Sequence, residues 1–498
     1  MKLLRDMYSS VIYNVKLNGG ITKEIFSVLG VKQGCVLSPI LFKLFLADLP
    51  SIFDESCHPI TLNKKLISCL MYADDLVLLS TTPEGLQNSL NALDKYCKKW
   101  NLTVNCTKTE VMVFNKSGHH FKNLKFSIGD SPLKVVTHYT YLGITFSISG
   151  SFKKAILDLR DKARRAYYKF RRHDLTNNPK LTMKFFDVLV KPILSYCCEV
   201  WTIIDSPNLS LDNIVHKADN TLYESLNLSM CKYLLGLRRN TSNIASRGEL
   251  GRFPLLVEFL LSTTKFKNRI SQLQGTLVYD AFCENKQWDN SVTSLSANLH
   301  LPQNFSIGDM QQCYANCWLK ALHKPEPNKL CSLALAKSSF TAEPYVFNLP
   351  LYARRDFSRL RTSCHTLEIE VGRYAKPKVP RDLRACKLCK TDQVEDERHF
   401  LLGCSFFKDA RKSFGSDLPE NLVPFTLEDS PEIFKQIFSC FDGNAYKSVC
   451  QLARTLSAIR FEYASSCPLI FNKPSTIITK FAGGGGRVVR PPDRLTYY

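Results

Sequence analysis

The sequence predicts an α+β chain: a short antiparallel sheet with helices near the N-terminus, then a mostly helical remainder that contains a small zinc module. Three observations predict it. Ile67 to Ser80 (ISCLMYADDLVLLS) sets two short apolar runs around a pair of acids, the pattern of two strands joined by a tight turn. Long stretches after Thr82 and after Ser151 carry apolar residues at helical spacing. Near the C-terminus, Cys386-x2-Cys389-x9-His399-x4-Cys404 spaces four soft ligands for one tetrahedral Zn²⁺.

Composition narrows the class. At 498 residues the chain should hold two to four domains. A net charge of +21 favours a polyanionic partner such as nucleic acid, with plain solubility as the alternative. Nineteen cysteines without an N-terminal apolar leader predict reduced thiols in the nucleus or cytoplasm, not a secreted disulfide framework. No apolar run approaches the ~18 residues that span a bilayer, so no membrane is expected.

In chain order, Leu3 to Gly19 has near-helical apolar spacing stopped by Gly19-Gly20, and Phe26 to Val31 is strand-like. Gly30, Gln33 and Gly34 make a turn before Ser38-Pro39, which opens a helix with Ile40, Leu41, Leu44 and Phe45 as its apolar face. In the YADD stretch, Asp74 and Asp75 sit at a hairpin tip. Adjacent carboxylates repel, and Mg²⁺ with its hard oxygen ligands would remove that penalty, as in a two-metal nucleotidyl-transfer site; an Asp-rich turn is the plainer alternative. Thr82-Pro83-Glu84 starts a helix with a cap, Pro at its first position and an acid at the positive dipole end. Leu86, Leu90, Leu93, Tyr96 and Trp100 are its core face. Leu102 to Phe114 alternates imperfectly as a strand and holds Lys108.

Phe152 to Phe170 is amphipathic. Its apolar face is Phe152, Ile156, Leu159, Ala163, Ala166, Tyr167 and Phe170. Opposite lie Lys153, Lys154, Arg160, Lys162, Arg164, Arg165 and Lys169, with Arg171 and Arg172 behind. Such a run is a solvated face or a phosphate-binding one. Residues 260–375 read as helical, with Cys313 and Cys317 as buried thiols. Asp396 and Glu397 are candidate partners for His399. The stretch from Gly483 to Tyr498, with Arg487, Arg490 and Arg494, reads as a basic disordered tail.

The ordered set GVKQGCVLSPILF (Gly30 to Phe42), YADD, LTVNCTKTEVMVF (Leu102 to Phe114) and YLGITF (Tyr141 to Phe146) resembles the palm of a reverse transcriptase. Its wording is similar to the non-LTR (LINE-type) retrotransposon branch. The resemblance implies that Asp74 and Asp75 bind magnesium, that Lys108 protonates the leaving pyrophosphate, and that Gln33, Gly34 and Tyr72 contact nucleotide and template. It also implies that Tyr141, Leu142 and Gly143 form the primer grip and that the basic helix belongs to a thumb on the RNA template and DNA primer. A C-terminal CCHC module preceded by Arg381 and Arg384 fits the same family. The expected organisation is palm over 1–150, thumb and following helices over 151–259, helical connection over 260–375, zinc module over 376–412, helices over 413–480 and tail over 481–498. A third palm carboxylate, expected on a Phe-Asp strand before the Gln-Gly turn, is not found; neither Asp6 nor Asp54 fits it. The expectation is therefore a C-terminal portion of an RNA-directed DNA polymerase that is inactive alone. A non-catalytic nucleic-acid-binding remnant is the alternative, and a group II maturase-like splicing protein a third.

Overall fold

The computed structural model describes residues 6, 8, 11–17, 19–27, 30–32, 34–173, 175–324, 329–414, 430–439 and 445–466. The chain divides into two compact units: residues 1–234 with 246–326 and 339–342, and residues 235–245 with 327–338 and 343–498. Gln33 and the 481–498 tail lie outside the described residues.

The first unit is α+β. Among the described residues its strands form five two-stranded sheets, four of them hairpins, and one three-stranded sheet. The helix expected over Leu3 to Gly19 is not what forms. Asp6 and Tyr8 are helical, but β1 (Val11–Tyr13) pairs with β4 (Ile25–Ser27), and β2 (Lys16–Leu17) pairs with β3 (Gly20–Ile21). The β-branched and aromatic run Val11-Ile12-Tyr13 favours extended backbone. Gly19, at φ +108, turns the chain where a helix stop was expected.

Helix α1 (Ser38–Phe45) forms as expected, but its apolar face is largely uncovered: Ile40 is 55% and Leu44 66% exposed. Hairpins β5 (Ile60–Leu62)–β6 (Lys65–Ile67) and β7 (Cys69–Tyr72)–β8 (Asp75–Leu78) follow. Cys69, Leu76 and Leu78 of the second hairpin pack on a cluster of Leu49, Phe53, Cys57, Leu93, Tyr96 and Cys97. Met71 and Tyr72 are exposed, where buried strands were expected, because they stand at the tip beyond the helix that covers the base.

Helix α2 (Pro83–Trp100) starts where Thr82 accepts a hydrogen bond from the Gly85 amide at 3.0 Å. Leu90, Leu93 and Tyr96 are buried, and Trp100 stacks edge-on against Phe45 at 5.5 Å. A Cβ on Gly85 would lie 2.6 Å from the Cys57 carbonyl oxygen and 2.7 Å from His58 Cβ. Gly85→Ala should therefore lower stability by about 1–3 kcal/mol through overpacking, against about 1 kcal/mol for Thr82→Ala. Urea midpoints of the two variants check this; a neutral Gly85→Ala would mean the helix start can shift.

The strand expected over Leu102 to Phe114 shrinks to β9 (Glu110–Val111). Asn105 is the reason: its carbonyl accepts from the Lys108 and Thr109 amides at 3.1 Å each, and its side chain from Thr107 at 2.6 Å, closing a turn. β9 runs parallel to β11 (Ser131–Val135), which pairs antiparallel with β10 (Phe126–Ile128). Hairpin β12 (His138–Tyr141)–β13 (Ile144–Ser147) leads into α3 (Lys153–Arg171). Ala155, Ile156, Leu159, Ala163, Tyr167 and Phe170 are buried along α3, while Phe152 and Ala166 of the expected stripe are only half-buried.

Helices complete this unit. Trp201 is fully buried between Tyr223 and Phe259, with ring centroids at 5.3 and 5.7 Å. Residues 260–322 are helical as expected; Cys317 is buried, and burial pushes the Cys313 thiol up to about 11. The second unit is described by helices such as Leu351–Arg361 and Ala445–Ser466, which pack together, and by the irregular segment that holds the Cys/His cluster. No helix among the described residues is long and apolar enough to cross a membrane.

Candidate functional sites

The acids come first. Cys69 to Tyr72 and Asp75 to Leu78 pair in register with Tyr72 opposite Asp75, leaving Ala73 and Asp74 as a two-residue turn. Ala73 takes φ +54, a left-handed conformation that costs a non-glycine residue about 1–2 kcal/mol. Asp74 and Asp75 are adjacent and exposed at the tip, so their oxygens face solvent, and Tyr72, 65% exposed, stands beside them. Hard carboxylate oxygens in this arrangement suit a divalent cation such as Mg²⁺.

Hairpin β12–β13 carries the other predicted residues. Tyr141 and Ile144 pair, so Leu142 (φ +48) and Gly143 (φ +84) form a two-residue loop with both φ values positive, a type I′ turn. Burial, and then the nearby Asp75 carboxylate, push the Tyr141 phenol up. The Tyr139 hydroxyl donates to the Lys108 carbonyl at 3.4 Å, so the Lys108 turn adjoins the same hairpin, and the Lys108 side chain is exposed. Gly34 is exposed at φ +80 with open space where a Cβ would point. Asp74, Asp75 and Tyr72 thus stand on one hairpin tip and Tyr141, Leu142 and Gly143 on another, and the Asp75 charge is felt at Tyr141.

Helix α3 separates its nine predicted cations into two sets. Lys154 pairs with Asp158 at 2.8 Å, Arg160 and Arg164 approach Asp161 at 3.5 and 3.7 Å, and Lys162 reaches the Gly143 carbonyl at 3.4 Å. The Arg171 guanidinium lies over Tyr233 at 4.2 Å. Lys153, Arg165, Lys169 and Arg172 are exposed and have no ion-pair partner among the described residues.

In the second unit, ligand atoms of Cys386, Cys389, His399 and Cys404 lie within 4.8 Å of one another. A tetrahedral zinc with Zn–S near 2.3 Å and Zn–N near 2.0–2.1 Å would set the sulfurs about 3.8 Å apart and sulfur to nitrogen about 3.5 Å. Cys386 Sγ to Cys404 Sγ is 3.8 Å, and Cys389 Sγ to His399 Nε2 is 3.4 Å. The donor set fits. Cys386 enters from a β-bridge, its amide donating to the Gln393 carbonyl at 2.8 Å, and Lys390 (φ +54) turns the chain back. The Cys386 hydrogen bond holds the Cys404 thiol below its usual range. Burial alone would lower the His399 imidazole, but the Cys386 and Cys389 sulfurs outweigh it and raise it.

The acids beside this cluster do other work than expected. Asp396 accepts from the His399 backbone amide at 2.8 Å, while His399 Nδ1 is buried with no hydrogen-bond partner among the described residues. Glu397 accepts from His365 Nε2 and from Ser332 Oγ, each at 2.9 Å. Glu395, which the sequence reading passed over, holds Arg460 through two bonds of 3.0 Å and caps the Glu368 amide at 2.8 Å. Arg384, expected only as a basic flank, is a clasp instead: its guanidinium donates to the Val379 and Ile369 carbonyls at 2.8–3.0 Å.

Residues 1–146 match the family model for reverse transcriptase (RNA-dependent DNA polymerase). The chain is 26% identical over 220 residues to the RNA-directed DNA polymerase from mobile element jockey of Drosophila funebris, covering 42% of this chain and 23% of that protein. It is 30% identical over 166 residues to the Pol polyprotein from type-1 retrotransposable element R2 of Popillia japonica, covering 32% and 27%. To the probable RNA-directed DNA polymerase from transposon BS of Drosophila melanogaster it is 29% identical over 243 residues, covering 44% and 26%. The chain thus spans about a quarter of the length of these curated relatives. Their kind is that of mobile-element polymerases, which weighs against the maturase alternative. Residues 1–146 are therefore a reverse transcriptase region of the type carried by non-LTR retrotransposon polymerases.

Proposed function

We propose that this chain supplies the palm and the nucleic-acid grip of an RNA-directed DNA polymerase from a non-LTR retrotransposon, working on an RNA template and a DNA primer in the nucleus or cytoplasm. One observation carries the reading: the Asp74–Asp75 tip and the Leu142–Gly143 turn both lie in the segment that matches the reverse transcriptase family, and the Asp75 charge is felt at Tyr141, at the base of that turn. Asp74 and Asp75 are the carboxylates that hold magnesium, Tyr72 and Gly34 (with Gln33) border the nucleotide, and Lys108 is the candidate acid for pyrophosphate. A bound divalent cation would supply charge stabilisation at the transferring phosphate; the protein's part is to aim the carboxylates and the primer end at one place. Residues 151–259 act as thumb, and the Cys/His cluster as a structural zinc module, because four protein ligands leave no open coordination position.

Two carboxylates are a small donor set for two metals, and among the described residues no third acid joins them in a cluster of three or more potential ligands, as the Cys/His residues do. We therefore expect the chain alone to give no measurable primer extension on an RNA template; DNA synthesis that disappears in Asp74→Ala would overturn that expectation. The metal reading is tested separately. Fe²⁺ with ascorbate and peroxide should cut the backbone near residues 72–76, excess Mg²⁺ should suppress the cut, and Asp74→Ala or Asp75→Ala should remove it. Uniform cleavage along the chain would count against a palm metal site.

A further inference from the structure

The Leu142–Gly143 turn is short, and leucine at φ +48 is disfavoured there relative to asparagine or glycine. Side chains from outside the turn hold it. The Tyr196 hydroxyl donates to the Leu142 carbonyl at 2.8 Å, and its ring lies 3.4 Å from where a Cβ on Gly143 would stand. Lys162 Nζ donates to the Gly143 carbonyl at 3.4 Å. Below the turn, Thr145 Oγ1 donates to Asp158 at 2.8 Å and lies 3.0 Å from Thr140 Oγ1.

Tyr196 is itself fixed from behind. It sits between the helices Lys191–Leu194 and Cys198–Asp205, and its carbonyl accepts from Nε1 of the fully buried Trp201 at 2.9 Å. The residue stays 45% exposed. A tyrosine kept for core packing would bury its ring; this one reaches across the surface to a carbonyl 54 positions away.

We propose that Tyr196 is a positioning residue for the primer end: it locks the Leu142–Gly143 turn in one conformation, so that the hairpin offers its backbone to the primer strand beside Asp74 and Asp75. The role rests on the polymerase reading above. Lys162 assists from the Gly143 side, so its charge serves the hairpin as well as any phosphate. Without the Tyr196 hydroxyl, Leu142 is free to leave the left-handed region and the turn opens.

The test uses the full chain, Tyr196→Phe, and three readouts. Hydrogen exchange of the peptide covering 138–147 reports the turn in the free protein. Photo-crosslinking from a 4-thiothymidine at the primer 3′ end, annealed to an RNA template, reports where that end lies. Anisotropy compares affinity for the primer–template with affinity for the template RNA alone. Loss of one hydrogen bond should speed exchange over 138–147 about threefold to tenfold, with 153–171 unchanged. Crosslinks to 138–147 should fall by a similar factor, and primer–template affinity should weaken while affinity for RNA alone holds. A fold-wide defect would weaken both ligands together. Lys162→Gln should loosen the same turn, and Lys162→Arg should restore it.

Unchanged exchange in Tyr196→Phe overturns the lock. Faster exchange with unchanged crosslinking overturns the primer role. Absence of any crosslink in the wild-type chain overturns the polymerase reading and the primer role with it, while the exchange data still decide whether Tyr196 holds the turn.

Discussion

If the Cys/His cluster holds zinc as proposed, replacing Cys386 by serine should release it and unfold much of the second unit, the largest effect expected from any single change in this chain. Zinc binding in small four-ligand sites contributes roughly 10–16 kcal/mol of apparent free energy, and three remaining ligands keep a small part of it. The damage should not stay within 376–412, because Glu395 ties the segment to Arg460 on the helix Ala445–Ser466, and Glu397 ties it to His365 and Ser332. Chelation of the wild-type protein should therefore reduce helical ellipticity and speed hydrogen exchange over 445–466 as well as over 385–404. Co²⁺ added in place of Zn²⁺ should show the d–d absorption of a tetrahedral S₃N site, which Cys386→Ser should lose. A far-UV spectrum and melting curve that ignore both chelation and the mutation would remove the metal from the account of the fold.

The pattern of what was legible follows sequence distance. The YADD hairpin, the Thr82 cap, the α3 stripe and the Cys/His spacing each depend on residues within about one element of each other. The rules that govern them are local: turn chemistry, capping, helical period and ligand spacing. Where local signals conflict, the reading failed. Leu3 to Gly19 has helical apolar spacing, but Val11-Ile12-Tyr13 has the side chains of a strand and a partner in Ile25–Ser27 that spacing alone does not reveal. Asn105 interrupts the strand expected over Leu102 to Phe114, its carbonyl and side chain closing a turn before β9. Contacts between distant segments were not legible at all. Nothing near Tyr196 points to Leu142, and Glu395 reads as one more surface acid until Arg460, 65 positions on, is placed against it. Arg384 shows the same limit in reverse, since a charge that reads as a nucleic-acid contact spends its donors on two carbonyls.

The second large effect concerns α3 and is read from salt, because charge alone does not distinguish a phosphate-binding helix from a solvated one. Five of its nine cations already have intramolecular partners, in Asp158, Asp161, the Gly143 carbonyl and Tyr233. Lys153, Arg165, Lys169 and Arg172 remain exposed for phosphate. If all four neutralise phosphates, changing them together to glutamine should flatten the slope of log K against log salt by roughly 3–4 units. The contribution they make at 50 mM salt should fall about a hundredfold by 200 mM in the wild-type protein and be missing from the variant. Changing Lys154, Arg160 and Arg164 instead should alter the slope little, since their charges are already compensated by Asp158 and Asp161, and should act mainly on helix stability by the few tenths of a kcal/mol typical of such pairs. The two sets thus make opposite predictions from the same helix. Equal slopes in both variants would mean that the basic face of α3 is only a solvated surface, and the thumb assignment for 151–259 would then have to rest on some other cations.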